Sequence, residues 1–128
     1  MRSIDTNIVL RVILGDDPVQ TPIATACVEA GVFVSHGVLI ETEWVLRSLL
    51  GNQRRAEVNE ALAAFLALAT VTVAQPGLVS WALDRHRAGA DWADMLHLVA
   101  STGHDVFTTF EKNLREGDAS PVPVELLK

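Results

Sequence analysis

The chain has 128 residues, and the 49% that are hydrophobic can build the core of a single domain, which we expect over residues 1–128. No apolar run is long enough to predict a membrane-spanning helix, and the single cysteine excludes an internal disulfide framework. Asp5 stands where a secretory signal would be apolar, so we expect a cytoplasmic protein without membrane contact. The formal net charge of -6 disfavours contact with phosphate backbones, unless some of the carboxylates share bound cations.

Short β-branched runs predict strands, and apolar residues spaced three and four apart predict helices. In chain order the predicted elements are strand Arg2–Asp5, helix Ile8–Leu14, helix Pro22–Ala30, strand Val32–Ser35, helix Val38–Leu50, helix Arg54–Leu68, strand Val71–Ala74, helix Gly77–Arg87, helix Asp91–Thr102, strand Asp105–Thr108 and strand Val122–Leu126. Helices between successive strands predict an α/β fold with a mostly parallel sheet. Functional side chains of such a sheet gather beyond the carboxyl ends of its strands, where Asp5 and Thr108–Glu111 are expected.

Asp5 closes a predicted strand and precedes a helix. It is suited to capping that helix, and it is equally suited to binding a metal ion. An ionised carboxylate in an apolar strand needs a partner or a cation, and Arg2 lies at the other end of the strand. Both roles therefore stay open at this point.

Two glutamates of the third helix differ in their neighbours. Glu43 has Arg47 four residues later, the spacing of a surface ion pair, so we expect Glu43 to be solvated. Glu41 has Val38 and Trp44 as helical neighbours and no local cation. An acid among apolar neighbours needs a proton or a cation from elsewhere, so Glu41 is a better candidate for the site than Glu43.

The helix beginning at Asp91 carries a second acid one turn later. Asp91 is explained by the helix dipole, which favours an acid in the first turn. Asp94 lies on the same face, and two carboxylates spaced in this way can bind a hard cation. His97 shares that face, but we do not predict it to be a ligand, because only oxygen donors surround it.

Thr108 and Glu111 have the spacing of a capping box, which predicts another helix that begins here. Glu111 could cap that helix, bind metal through water, or do both. Carboxylates with no soft donors favour Mg²⁺ or Mn²⁺, and such cations suit phosphodiester hydrolysis.

Four segments together resemble the motifs of a known family, in order and in spacing. They are Ser3–Asn7, Ile40–Leu46, Ala90–Leu98 and Phe107–Glu111. The resemblance is to PIN-domain nucleases, most closely to the VapC toxins of bacterial toxin–antitoxin pairs, and it covers essentially the whole chain.

The resemblance implies a three-layer α/β/α sandwich with an acidic pocket that binds Mg²⁺ or Mn²⁺ and cuts RNA endonucleolytically. By motif match Asp5, Glu41 and Asp94 are the central acids, and Asp91 is an accessory acid. Thr6 and Asn7 match the polar residues beside the first acid, with Thr108 in a supporting place. The family usually has Asp where Glu111 stands, which puts direct coordination by Glu111 in doubt. The resemblance also implies a homodimer and a cognate antitoxin.

Basic residues flank the acidic stretch on both sides. Arg85 and Arg87 precede it, and Lys112 and Arg115 follow Glu111 on the helix predicted there. As a group they are expected to hold the RNA backbone, although each one alone is better explained as a solvated surface charge.

The sequence leaves two other classes of protein as alternatives. A phosphoaspartyl receiver domain needs an Asp at the end of a central strand, and the strand Val71–Ala74 is followed instead by Gln75 and Pro76. A PIN-like module that has lost catalysis and only binds RNA or a partner is favoured weakly by Glu111 and disfavoured by the three central acids.

Overall fold

The computed structural model describes all 128 residues and divides them into two compact units, Met1–Ala74 and Gln75–Lys128. The α-helices are α1 Thr6–Leu14, α2 Gln20–Glu29, α3 His36–Leu50, α4 Arg55–Leu66, α5 Pro76–Arg87 and α6 Trp92–Ala100, and a 3₁₀ turn spans Asn52–Arg54. The strands are β1 Arg2–Ser3, β2 Val32–Phe33, β3 Val71–Thr72, β4 Phe107–Thr109 and β5 Val124–Leu126. No helix combines the length and the apolar character needed to cross a membrane. The prediction of a single domain stays a prediction.

The first unit is built on a parallel sheet with the strand order β1-β2-β3. Helices α1 and α2 connect β1 to β2, and α3 and α4 connect β2 to β3, since parallel strands need long crossovers. Val9 of α1, Val32 of β2, Leu39 of α3 and Leu62 of α4 are fully buried. Burial of these apolar side chains is the main driving force for folding of this unit.

The three strands of this sheet each end two residues earlier than the sequence predicts. Asp5 and Ser35 keep an extended backbone, but they serve as the N-caps of α1 and α3 instead of pairing in the sheet. Their side-chain oxygens accept hydrogen bonds from the amides of Ile8 and Val38, each at 3.2 Å. The chain therefore turns from strand to helix directly at the carboxyl edge of the sheet.

The second unit contains α5, α6 and a two-stranded parallel sheet of β4 and β5, in which Phe107 pairs with Val124. Pro76 occupies the first turn of α5, where its missing amide costs nothing. Helices α5 and α6 pack against each other, and buried His86 of α5 meets the ring of Trp92 edge-on with centroids 5.5 Å apart. The start of α6 is thus held against α5.

The α/β class with parallel strands, typical of a PIN-like fold, is confirmed. The strands pair as one sheet of three and one sheet of two, one in each unit. The helix predicted to begin near Thr108 is wrong, because residues 110–120 form turns without a helix. In its place the amide of Asn113 donates to Glu111 Oε1 at 2.8 Å, which closes a tight turn.

Candidate active site

Asp5 is exposed at the start of α1, one residue beyond buried Ile4. Its Oδ1 accepts the amide of Ile8, so the capping role left open by the sequence is confirmed. The expectation that Asp5 lies inside an apolar strand is wrong, because β1 ends at Ser3. An exposed carboxylate at this edge of the sheet remains accessible to a cation.

Thr6 links the first acidic motif to the second. Its Oγ1 donates to Glu41 Oε1 at 3.1 Å, although the two residues are 35 positions apart in the chain. The contact brings the start of α1 to α3, and it places Asp5, adjacent to Thr6, in the same part of the first unit as Glu41. Asn7 is exposed on the first turn of α1.

Glu41 and Glu43 have environments opposite to those predicted. Glu41 is exposed, and its helical neighbour Trp44 is also exposed, so the expected apolar surroundings of Glu41 are wrong. The predicted pair of Glu43 with Arg47 is confirmed at 3.2 Å, but the Glu43 side chain is only 7% exposed. Glu43 lies on the inner face of α3 with buried Leu46.

Asp91 and Asp94 lie at the start of α6 in the second unit. Asp91 is the N-cap, and its Oδ1 accepts the amide of Asp94 at 3.0 Å. This bond fixes the first turn of the helix and with it the backbone of Asp94. Asp91 is exposed and Asp94 is half-buried, while His97, one turn further on, is exposed.

The pKa of Asp94 is raised above its ordinary value of 3.8, first because burial disfavours the charged carboxylate. The negative charge of Asp91 raises the pKa further, His97 lowers it, and the charge of Glu111 adds a smaller increase. Asp91, Asp94 and Glu111 are therefore close enough to interact electrostatically in the second unit. Without a cation they repel one another.

Thr108 and Glu111 do not form the capping box that the sequence predicts. The Thr108 hydroxyl donates to Glu125 Oε1 on β5 at 3.1 Å, and the amide of Glu111 donates to Thr109 Oγ1 at 2.9 Å. Glu111 is exposed and accepts a hydrogen bond from Asn113 with one of its oxygens. Its charge, rather than a capping bond, is what it contributes to Asp94.

Replacing Glu111 with Gln should test that electrostatic role. Gln keeps the oxygen that accepts the Asn113 amide, so the free energy of unfolding should change by less than about 0.5 kcal/mol. The loss of charge should lower metal-dependent activity by about tenfold, the lower end of the range for residues that support metal ligands. Thermal melting and a cleavage assay would measure both quantities. Complete loss of metal binding would instead make Glu111 a direct ligand.

The four basic residues predicted to hold RNA occupy different settings. Lys112 and Arg115 are exposed on the loop after Glu111, so the prediction that they lie on a helix is wrong. The guanidinium of Arg85 donates through Nε and Nη2 to the backbone oxygen of Arg115, at 3.3 and 3.0 Å. Arg85 thus holds the loop, and Arg87 is exposed near the end of α5.

Two features were not predicted from the sequence. Trp81 of α5 donates its indole N–H to the backbone oxygen of Asp118 at 3.1 Å, one helical turn before Arg85. An open cleft of about 500 Å³ lies beside Asp5 between α1 and α2.

The charged oxygens of the two units fit a hard divalent cation by their donor chemistry. The first unit offers Asp5 and Glu41, and the second offers the three mutually repelling carboxylates around Asp94. No group of three or more His, Cys, Asp or Glu side chains is gathered to hold a metal ion. Mg²⁺ keeps several waters and is often held by only one or two carboxylates, a number that each unit offers by itself.

Comparison with known proteins gives one match. The family described as PIN domain matches residues 3–119, which include the five acids predicted for the site, Asp5, Glu41, Asp91, Asp94 and Glu111. Neither the curated proteins nor the solved structures gave a match.

Proposed function

The chain belongs to the PIN-domain family, and from this premise we propose that it is an endoribonuclease that depends on Mg²⁺ or Mn²⁺. PIN domains are generally metal-dependent nucleases, so hydrolysis of phosphodiester bonds follows from the family. The observation that best supports a cation site is the electrostatic environment of Asp94. The pKa of its half-buried carboxyl is raised by burial and by the charges of Asp91 and Glu111. A cation would relieve this repulsion.

In this proposal Asp5, Glu41 and Asp94 hold the cation, with Asp91 as an accessory acid. When bound, the cation would supply activation of water and stabilisation of charge on the phosphoryl oxygens. Thr6 orients Glu41 through the 3.1 Å hydrogen bond to Oε1. Asp91 fixes the first turn of α6 and thereby positions the Asp94 backbone. These contacts reduce the freedom of two ligands before substrate arrives.

We further propose that the enzyme is a VapC-type toxin that acts in the cytoplasm, as a homodimer, and is silenced by a cognate antitoxin. The support is the resemblance of the four motif segments to that branch of the family. A cell-based test follows directly: production of the chain should arrest growth, and production of an Asp94→Asn variant should not. Equal growth with both would contradict the toxin role.

The biochemical test uses a circular single-stranded RNA, which only an endonuclease can open. The purified chain should linearise it in Mn²⁺ or Mg²⁺ and leave it intact in EDTA. The matched control is Asp84→Asn, which removes an exposed carboxylate of α5 outside the family motifs and should cut normally. RNA that stays intact in every metal contradicts the proposed activity.

The second candidate is a PIN-like module that binds RNA without cutting it. The observation that favours it is the hydrogen bond from Asn113 to Glu111, since this bond engages the acid that already departs from the family pattern. Binding of the circular RNA with no linear product in any divalent metal would support the module. Metal-dependent linear product would exclude it.

The loop after Glu111 should contribute to RNA affinity. Replacing Lys112 and Arg115 together with Ala should weaken binding to all RNAs alike, because phosphate contacts carry no sequence information. Each lost contact should reduce the salt slope of binding by roughly 0.7 on single strands, or roughly 1.4 for both. The measurement is RNA affinity against salt concentration, with Asp94→Asn protein in Ca²⁺ so that nothing is cut.

Arg54→Ala is the control for a general loss of positive charge, since Arg54 pairs with Glu57 in the first unit. If the double variant kept both the affinity and the salt slope of its parent, RNA would have to bind over another surface. Arg85 is unsuitable for this comparison, because its guanidinium holds the loop backbone.

A further inference from the structure

The cleft between α1 and α2, hereafter the α1–α2 cleft, is lined by residues of the first unit that include Arg2, Asp5, Ile8, Arg11 and Ile23. Its volume of about 500 Å³ falls within the range of small-ligand sites, roughly 300–1,000 Å³. Because Asp5 belongs to its lining, a group bound in the cleft would lie directly beside a proposed catalytic acid.

Neither arginine of the cleft forms a salt bridge. Arg11 does act on one acid, Asp17, whose pKa is lowered first by amide hydrogen bonds from Gln20 and Val19 and to a smaller extent by the charge of Arg11. Arg2 Nη1 lies 3.6 Å from Cys27 Sγ, and Arg11 Nε donates to Gln20 Oε1 at 2.7 Å, so both contacts are to neutral groups. Asp5 lines the same cleft but forms no ion pair with either of them. Two arginines without a salt bridge face one cleft in a chain whose net charge is -6, and an anionic ligand would complement them.

The wall also contains the polar residues Asn7 and Gln20, and it has an apolar part that is partly unpacked. Ile23 is 67% exposed although it lines a concave surface, and Ile8 and Ala24 lie beside it. An inorganic anion would use the arginines and leave Ile23 in water. A nucleotide uses both kinds of surface, because its phosphates bind guanidinium groups while the flat face of its base covers apolar side chains.

We propose that the α1–α2 cleft binds one nucleotide of single-stranded RNA next to the phosphodiester that is cut. Its phosphates contact Arg2 and Arg11, and its base lies against Ile8 and Ile23. The inference rests on the proposed ribonuclease function and deepens it, because it gives the substrate a defined path past Asp5. A protein segment is disfavoured as the occupant, since it would need to bring acids to match both arginines, whereas RNA carries a phosphate at every nucleotide.

The cleft contains its own reporter. Cys27 is the only cysteine of the chain and lines the cleft, so the rate of its alkylation by N-ethylmaleimide measures whether the cleft is occupied. A short single-stranded RNA of mixed sequence, at a concentration shown by fluorescence anisotropy to be saturating, should slow this rate several-fold in EDTA. The double variant Arg2→Gln/Arg11→Gln should lose the protection, with the rate in RNA compared to the rate without RNA for each protein.

Substitutions should distinguish the contribution of the two arginines from that of the apolar wall. Arg2→Gln/Arg11→Gln should reduce the salt slope of RNA binding by roughly 1.4, the value for two phosphate contacts on a single strand. Ile23→Ala should weaken binding and leave the slope unchanged, because it removes an apolar contact and no charge. Arg54→Gln, which also removes one positive charge from the first unit, should retain the protection of Cys27.

Alkylation of Cys27 at the same rate with and without saturating RNA would overturn the inference and leave the cleft to another class of ligand, such as a protein segment. If the chain still opened circular RNA, the proposed function would stand while the cleft assignment fell. If the chain neither cut nor bound RNA, both would fall. Protection that survives in Arg2→Gln/Arg11→Gln protein would also contradict the assignment, because the arginines would then not hold the RNA.

Discussion

Asp94→Asn is expected to abolish metal-dependent cleavage and, in the absence of metal, to make the protein harder to unfold. Residues that only support metal ligands cost roughly 10–100-fold when they are replaced, so a direct ligand should cost at least about 100-fold. Titration calorimetry should show no tight Mn²⁺ binding by the variant. The same change should raise the midpoint of thermal unfolding in EDTA, because Asn removes a charge that burial and Asp91 disfavour.

The pH dependence of this stabilisation has a definite sign. Since the pKa of Asp94 is raised in the folded state, the folded protein holds this proton more tightly than the unfolded chain does. Stability is therefore lost as the pH rises from the ordinary value of 3.8 through the raised pKa, and the loss persists at neutral pH. Melting curves in EDTA should show the advantage of Asn at neutral pH and its disappearance in acid.

Asp84→Asn is again the matched control, and it should change neither cleavage nor melting. Added Mn²⁺ should raise the melting temperature of the parent and leave that of Asp94→Asn unchanged. An Asp94→Asn protein that binds Mn²⁺ as tightly as its parent would remove Asp94 from the site.

Glu41→Gln and Glu43→Gln should have opposite effects. Glu41 is exposed, so its replacement should leave the free energy of unfolding within about 0.5 kcal/mol and abolish cleavage. Glu43 is buried on the inner face of α3 and paired with Arg47, so its replacement should cost about 1 kcal/mol, more than an exposed helix pair contributes. Cleavage per folded molecule should be retained in Glu43→Gln.

Denaturant unfolding and a single-turnover cleavage assay at one temperature would give both quantities for each variant. The assignment of Glu41 to the site requires that Glu41→Gln is stable and inactive, while Glu43→Gln is destabilised and active. Full activity in both variants would show that neither carboxylate is a ligand, and loss of activity in both would bring Glu43 into the site.

The elements of the fold were largely predictable, because each one carries its own local signal. Asp5 and Ser35 cap helices through bonds to residues three positions away, and Pro76 opens α5. Which side of α3 faces the core was not predictable from its spacing. Glu43 and Glu41 each had apolar neighbours in sequence, and only packing against other elements decides which of the two is buried.

The second unit shows where local motifs fail. Thr108 and Glu111 match a capping box, but β4 pairs with β5 and presents the Thr108 hydroxyl to Glu125, 17 residues away. Arg85 was predicted to face RNA, while its acceptor is the backbone oxygen of Arg115, 30 residues away. Every residue has a backbone carbonyl oxygen, so the residue type does not reveal which one accepts this hydrogen bond. Such a contact cannot be inferred from sequence. The convergence of Asp5, Glu41 and Asp94 on one metal remains a prediction.

The anchoring of the loop that follows Glu111 has a consequence for how this protein can diverge. Its far end is held by Trp81 and Arg85, two side chains of α5, and both bind main-chain oxygens that any residue supplies. Gly117 is the position where the residue type does matter, because a Cβ there would stand 2.5 Å from the guanidinium carbon of Arg85. Residues such as Lys112 can therefore be exchanged without displacing the loop. Substitutions there would change the charge of the loop, while Trp81 and Arg85 of α5 keep the loop in place.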